Sequence, residues 1–313
     1  MQADGGFKES EVRSVHPYLV RIPLPWGGTF RVASYGFLIM CGFLASLYIA
    51  WRRAKRFGID PSGLFDAAVG ALIGGIVGAR LLYVIYEWPA FRAEPLKVIR
   101  LDEGGLVFLG GAALGTLTLA FIVAKRKLPL LRSLDVAASV LPLGHAFGRM
   151  GCFLNGCCYG SVTGSWVGVR FLRVLDPRTG ELIGSPVFLD HMRQGLVPQA
   201  AARSLPVHPT QLYEAGYNLA IFALLSFWLT RRWREGEVGW LYLALYGAAR
   251  FANEFLRADS SRVLGLTVAQ AMCLPMVALA VAMVVRGRML PRQPLPAPRE
   301  PSIPRAKPRK KAR

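Results

Sequence analysis

The chain has 313 residues, of which 53% are hydrophobic and only 18% charged, with a mean hydropathy of +0.36. A soluble domain carries more charge at that apolar content, and here the apolar residues arrive in blocks, which excludes a soluble class in favour of a membrane one. The formal net charge of +19 invites a nucleic-acid reading. However, Lys and Arg gather at the ends of apolar segments and in the C-terminal run, where they set topology rather than track a phosphate backbone.

Residues 1–33 mix polar and aromatic side chains and lack the basic start, short apolar run and small-residue cleavage site of a signal peptide. They are expected to form an outer arm, and the apolar run after them to be kept as a span. Seven segments approach the ~20 residues that cross hydrocarbon: 34–51, 66–86, 105–124, 134–153, 209–230, 238–256 and 266–285. The expected fold is therefore an all-α polytopic membrane protein of about seven transmembrane helices. Its transmembrane domain would span 34–288 and carry a small outer, periplasmic cap over about 155–207.

Flanking charges test the count. With the N-terminus outside, the inner connections hold Arg52, Arg53, Lys55 and Arg56, then Lys125, Arg126, Lys127 and Arg132, then Arg231, Arg232 and Arg234. All agree with the excess of basic residues on the cytoplasmic side of bacterial inner membranes. Within the cap, Trp166, Val167, Val169 and Phe171 read as a strand, followed by turn signals at Asp176-Pro177 and Thr179-Gly180. The Pro- and Lys/Arg-rich end, 289–313, is expected to be a disordered cytoplasmic tail, free in solvent or attracted to anionic headgroups.

Ionisable side chains inside a membrane are costly and usually mark function. Arg80, Arg149 and Arg250 fall within expected spans, with Asp66, Asp135 and Glu254 as nearby acids. Arg250, Glu254 and Arg257 share one helical face. They form either an ion-pair ladder or an anion site for a lipid phosphate, which the guanidinium fork suits. His145 lies one turn before Arg149, so the two can face one cavity. Cys152, Cys157 and Cys158 follow at the outer end of that span. Metal binding through two or three of these thiolates and a His such as His145 is one reading, although their spacing matches no standard zinc pattern. A disulfide from Cys152 to Cys157 or Cys158, or simple small-residue packing, is also open. Cys41 and Cys273 read as buried small residues.

Several motifs then stand in one order: Ser34-Tyr35-Gly36; Gly78-Ala79-Arg80 with Tyr83; Gly104-Gly105 and Gly110-Gly111; Gly148-Arg149-Met150-Gly151; His208-Pro209-Thr210-Gln211-Leu212-Tyr213-Glu214; and Tyr246-Gly247-Ala248-Ala249-Arg250 with Glu254 and Arg257. Over roughly 31–288 the chain resembles the prolipoprotein diacylglyceryl transferase family. The resemblance implies an inner-membrane enzyme that moves the diacylglyceryl group of phosphatidylglycerol onto the lipobox cysteine thiol of a preprolipoprotein. A thioether forms and glycerol phosphate leaves. The family works without metal or organic cofactor, and its partners are phosphatidylglycerol, preprolipoproteins and membrane lipids, not nucleic acid.

Carried over, Arg149 and Arg250 hold the headgroup phosphate, joined by Asn155, Gly160, Arg80 and Glu254. His145 and Tyr35 are the candidates for handling the thiol proton. Three positions depart from the family pattern: its usual histidine is Leu109 here, its asparagine is Cys152 and its glutamate is Cys157. His145, near the same cavity, is expected to take over from the missing histidine. Two other readings are a thiol-redox or sulfur-handling membrane protein using Cys152, Cys157 and Cys158, and a non-catalytic lipid-binding protein.

Overall fold

The computed structural model describes residues 18–23, 29–100, 105–173, 185–258, 262–263 and 265–293. The turn signals at 176–180 and the basic tail beyond 293 lie outside the described residues. The chain divides into two compact units. One comprises Met1–Ser46, Ser139–Arg231 and Trp240–Met289; the other comprises Leu47–Ala138, Arg232–Gly239 and Leu290–Arg313.

All seven apolar segments contain helix. Of the described helices, four are long and apolar enough to cross a membrane: α1 (Ser34–Arg56), α2 (Pro61–Tyr86), α8 (Thr210–Leu229) and α10 (Val268–Met289). Between them lie the short α3 (Trp88–Ala93), α4 (Phe108–Lys125), α5 (Leu130–Ala138), α6 (Leu141–Asn155), α7 (Pro186–Arg193) and α9 (Glu237–Glu254). Helix α4 is apolar but shorter, and α9 carries Glu237, Arg250 and Glu254. The segment expected as one fourth span, 134–153, is two helices, α5 and α6. Pro142 sits in the first turn of α6, where it has no N–H to donate and its ring would clash with a continuing helix.

The distribution of polarity is inverted relative to a soluble protein. Leu72, Ile73, Ile76, Val77, Leu81 and Ile85 on α2 are exposed, whereas Gln211, Glu214, Glu254, Gln270 and Arg232 are among the largest fully buried side chains. Apolar faces turned outward match a hydrocarbon surround, and buried polar groups require partners inside.

In the second unit, α2 and α4 meet through small residues. A Cβ on Gly78 would run into the Gly110 carbonyl and Leu114, and one on Gly110 into the Gly78 carbonyl and Leu82. This is the close backbone approach through which helices associate in lipid, where no hydrophobic effect drives them together. Arg80 on α2 is buried. It donates to the carbonyls of Val98 from Nε (2.9 Å), Gly105 from Nη1 (3.1 Å), and Lys97 and Arg100 from Nη2 (2.5 and 2.9 Å). Those bonds tie Lys97, Val98 and Arg100 to Gly105, just ahead of α4. The same unit contains a buried lock. The fully buried Asp135 of α5 accepts from the backbone N–H groups of Gly236 (2.8 Å), Val238 (2.9 Å) and Gly239 (3.1 Å), capping the start of α9, and pairs with Arg232 at 3.2 Å.

In the first unit, strands β1 (Tyr18–Pro23) and β2 (Thr29–Ala33) form an antiparallel hairpin within the N-terminal arm. A two-residue pair, β3 (Arg262–Val263) and β4 (Leu266–Thr267), precedes α10. The cap after α6 departs from expectation. Among the described residues between 156 and 207 it shows isolated antiparallel bridges, Val162 and Val169 to Val207 and Leu172 to Arg203, together with helix α7. Its core is Tyr159, Phe171, Val187 and Val207. The strand pattern at 166–171 thus finds a partner, but turn-rich sequence on both sides limits each pairing to one or two residues. Trp166 is 94% exposed.

Breaking the Asp135 lock would remove a carboxylate that pairs with the buried Arg232, leaving Glu235 and Glu237 to attract it, and would take their side-chain acceptor from three helix-start N–H groups. Asp135→Ala should cost about 3–5 kcal/mol and lower the thermal unfolding midpoint of the detergent-purified protein. Asp135→Asn, which keeps a capping oxygen, should lose less. In the other direction, Gly78→Leu should abolish the α2–α4 contact and sharply reduce folded yield, as read by fluorescence-detected size exclusion.

Candidate active site

The residues that meet come from α6, α8 and α9 and the turn after α9. Their centre is Glu214, one turn into α8 and 1% exposed. His145 and Arg149 lie one turn apart on α6, so their side chains share a face. Arg149 Nε lies 3.2 Å and His145 Nε2 3.5 Å from Glu214 Oε1. From α9, Arg250 Nη1 lies 3.8 Å from Glu214 Oε2, while its Nη2 pairs with Glu254 Oε2 at 2.7 Å. Arg257 Nε completes the chain at 3.8 Å from Glu254 Oε2. Two arginines from separate helices therefore converge on one buried carboxylate.

The charge balance is informative. Three guanidiniums face two carboxylates, so with neutral His145 the cluster retains one positive charge. The Arg149 and Arg250 side chains remain 17% and 14% exposed, against 1% for Glu214. Arg250 Nη1 is buried yet makes no hydrogen bond. A buried donor without an acceptor is costly, and an incoming anionic oxygen would satisfy it. Aromatic rings line the same cluster: Tyr246 lies 5.1 Å from His145, 5.8 Å from Tyr242 and 6.5 Å from Tyr217, centroid to centroid.

The far end of α6 is organised by glycine and by α8. Gly156 ends the helix in the left-handed conformation (φ 73°), which glycine adopts without the penalty a Cβ brings. The chain then runs back past the start of α8. Thr210 Oγ1 donates to Cys158 O (2.8 Å) and Gln211 Nε2 to Cys157 O (2.7 Å). Gly160 donates to His208 O at 2.9 Å and bridges to Arg257. A Cβ there would press into Leu256 O and His208. Its contribution is to hold the backbone that carries Arg257. Tyr35, at the start of α1, packs on α6 at Gly151, where a Cβ would lie 3.0 Å from the Tyr35 ring. Asn155 closes α6 itself. The five cysteines are free thiols. Hydrogen bonds from Cys152 and Cys157, then the Arg257 and Arg149 guanidiniums, pull the Cys158 thiol below the ordinary thiol range.

The structure thus brings together Arg149, Arg250, His145 and Glu254. It sets Tyr35, Asn155 and Gly160 around the α6 end of the same unit. Arg80 and Leu109 belong to the other unit, where Arg80 serves the carbonyls of Lys97, Val98, Arg100 and Gly105. Asp135, noted in the sequence as an acid near the arginines, pairs instead with Arg232. The residue that sequence reasoning missed is Glu214. It appeared only as the last member of a motif. The available signal was a carboxylate inside a 20-residue apolar helix, which by cost alone demands a buried cation.

Comparison with known proteins places this geometry. Residues 22–286 match the family model described as prolipoprotein diacylglyceryl transferase. Among similar curated proteins is the phosphatidylglycerol–prolipoprotein diacylglyceryl transferase of Symbiobacterium thermophilum, 35% identical over 78% of this chain and 84% of that one. The protein of the same name from Bacillus cereus is 31% identical over 88% and 94%. A phosphatidylglycerol–prolipoprotein diacylglyceryl transferase 2 of Clostridium perfringens is 29% identical over 75% and 83%. With a match across most of its length, this chain belongs to the prolipoprotein diacylglyceryl transferase family, a family of membrane transferases.

Proposed function

We propose that the protein transfers the diacylglyceryl group of phosphatidylglycerol to the lipobox cysteine thiol of preprolipoproteins in a bacterial inner membrane. The observation that carries this reading is the convergence of Arg149 and Arg250, from α6 and α9, on Glu214. The acceptor sulfur attacks the glyceryl carbon bonded to the phosphate oxygen. A C–S bond forms, the C–O bond breaks, and its electron pair leaves on glycerol phosphate. Negative charge therefore grows on the departing phosphate, and fixed guanidinium donors stabilise it most as it develops. Glu214 holds the two arginines apart from each other and at a set separation, and the phosphate takes up the excess charge and the open donor of Arg250. Glu254 and Arg257 extend the same ladder, and Asn155 and Gly160 shape the headgroup's other side. Arg80 contributes by ordering the backbone that leads to α4.

The acceptor proton needs a receiver, because thiolate rather than thiol is the nucleophile. Leu109 cannot serve. His145, against Glu214 and Tyr246, is the receiver in this reading, and Tyr35 at the α6 end orients the thiol. Seven spans place the N-terminus and cap outside and the basic connections inside, a topology supported by the distribution of Lys and Arg. An exported substrate then meets the outer end of α6 from the lipid.

The reading is tested with purified protein, phosphatidylglycerol vesicles and a lipobox peptide, with mass spectrometry for the thioether. Arg149→Ala should reduce turnover by at least about 100-fold, and Arg149→Lys should not restore it, since the fork geometry is lost. Full activity in Arg149→Ala would remove the mechanism. His145→Ala should lower kcat by about 10²–10⁴-fold and flatten the pH profile. Glu214→Gln should raise KM for the lipid as well as lower kcat, because it releases both arginines. Lipid that co-purifies without any thioether product would favour a binding protein instead.

A further inference from the structure

Beside the cation–carboxylate cluster stands a second group that the proposed mechanism does not use. The Sγ atoms of Cys152, Cys157 and Cys158 all lie within 4.8 Å of one another. The backbone builds this gathering. Cys152 is buried in the last turn of α6, and the left-handed Gly156 folds the chain back so that Cys157 N donates to Cys152 O at 3.1 Å. Cys158 is itself held at φ 60°, a conformation that a Cβ makes costly. The clamps from Thr210 and Gln211 of α8 fix both carbonyls of the Cys157-Cys158 pair.

We propose that Cys152, Cys157 and Cys158 form a three-thiolate site for a single thiophilic d10 cation of the zinc class. Thiolate sulfur is the donor such ions select. Bonds of about 2.3 Å in a tetrahedral site put neighbouring sulfurs about 3.8 Å apart, a contraction that small side-chain rotations supply. A disulfide would consume two sulfurs, strand the third and require an external oxidant. A cation engages all three: each S–H loses its proton to solvent, three S–metal bonds form, and no atom changes oxidation state. Three protein ligands leave the fourth tetrahedral position open.

On the transferase reading, and resting on it, the fourth ligand is the acceptor cysteine. Coordination acidifies the thiol so that its proton passes to His145, and the bound thiolate then forms the C–S bond as the glyceryl C–O bond breaks toward phosphate. The Cys152 and Cys157 departures from the family pattern would thereby supply the thiol activation that Leu109 does not.

The test uses the full chain in detergent, reduced and under argon, titrated with Cd(II) as an optical probe. The expected result is thiolate-to-metal charge-transfer absorption saturating at one equivalent, displaced by Zn(II), with release of protons. Cys152→Ser, Cys157→Ser and Cys158→Ser should each abolish the one-equivalent band at unchanged helix content, and Cys41→Ser should leave it. Absence of the band in protein whose thiols titrate as reduced would overturn the site, as would its persistence in the triple serine variant. Addition of a lipobox peptide should intensify the band only when the peptide carries Cys rather than Ser. A band indifferent to both peptides overturns the fourth-ligand assignment. These readouts need no turnover, so failure of the transferase reading registers separately, as absent thioether beside intact metal absorption.

Discussion

The buried carboxylate of Glu214 is the constraint on which the candidate site depends. A full negative charge at 1% exposure is untenable alone inside an apolar bundle, since desolvating it costs several kcal/mol. It is tolerable because α6 brings Arg149 and His145 to it and α9 brings Arg250. Those cations have the same problem in mirror image, so neither sign can leave without stranding the other. The result is a rigid junction of three helices whose charges do not cancel. The remaining positive charge and the open donor of Arg250 suit a phosphate ester, and the phosphatidylglycerol reading rests on that imbalance.

The same economy governs the second unit. Arg80 is buried against the carbonyls of Lys97, Val98, Arg100 and Gly105, and Asp135 against Arg232 and the opening N–H groups of α9. Arg80, Arg149 and Arg250 look alike in sequence, each a cation in an apolar run. They differ in what receives their donors. Arg80 directs its hydrogen bonds to backbone carbonyls. Arg149 and Arg250 instead pair with carboxylates and keep a partly exposed edge.

Motif order was enough to identify the family, because several distinct short motifs built on Gly, Arg, Tyr and Glu stand in one sequence along this chain. The i, i+4 relation of His145 to Arg149 and the i, i+4, i+7 ladder of Arg250, Glu254 and Arg257 were legible for the same reason: helical geometry is local. The split of 134–153 into α5 and α6 was not drawn from the sequence, although Pro142 carried the signal. The hydropathy of the whole segment outweighed one helix-breaking residue. The cap strands at 166–171 were over-read, since β pattern alone does not specify a partner, and pairing there ends after single bridges.

By itself, then, the sequence determined the membrane class, the seven apolar helical segments, the family and the list of charged residues available to a site. These follow from composition, periodicity and short-range spacing, which a chain carries wherever it folds. Only the tertiary structure decided which charges meet. That Glu214 joins Arg149 to Arg250, that Arg80 turns to its own backbone, and that three cysteine sulfurs reach one point all depend on contacts between residues distant in the chain. Such contacts are chosen by the requirement that every charge and polar group buried in a low-dielectric interior find its complement, a condition on the whole bundle that no local pattern encodes.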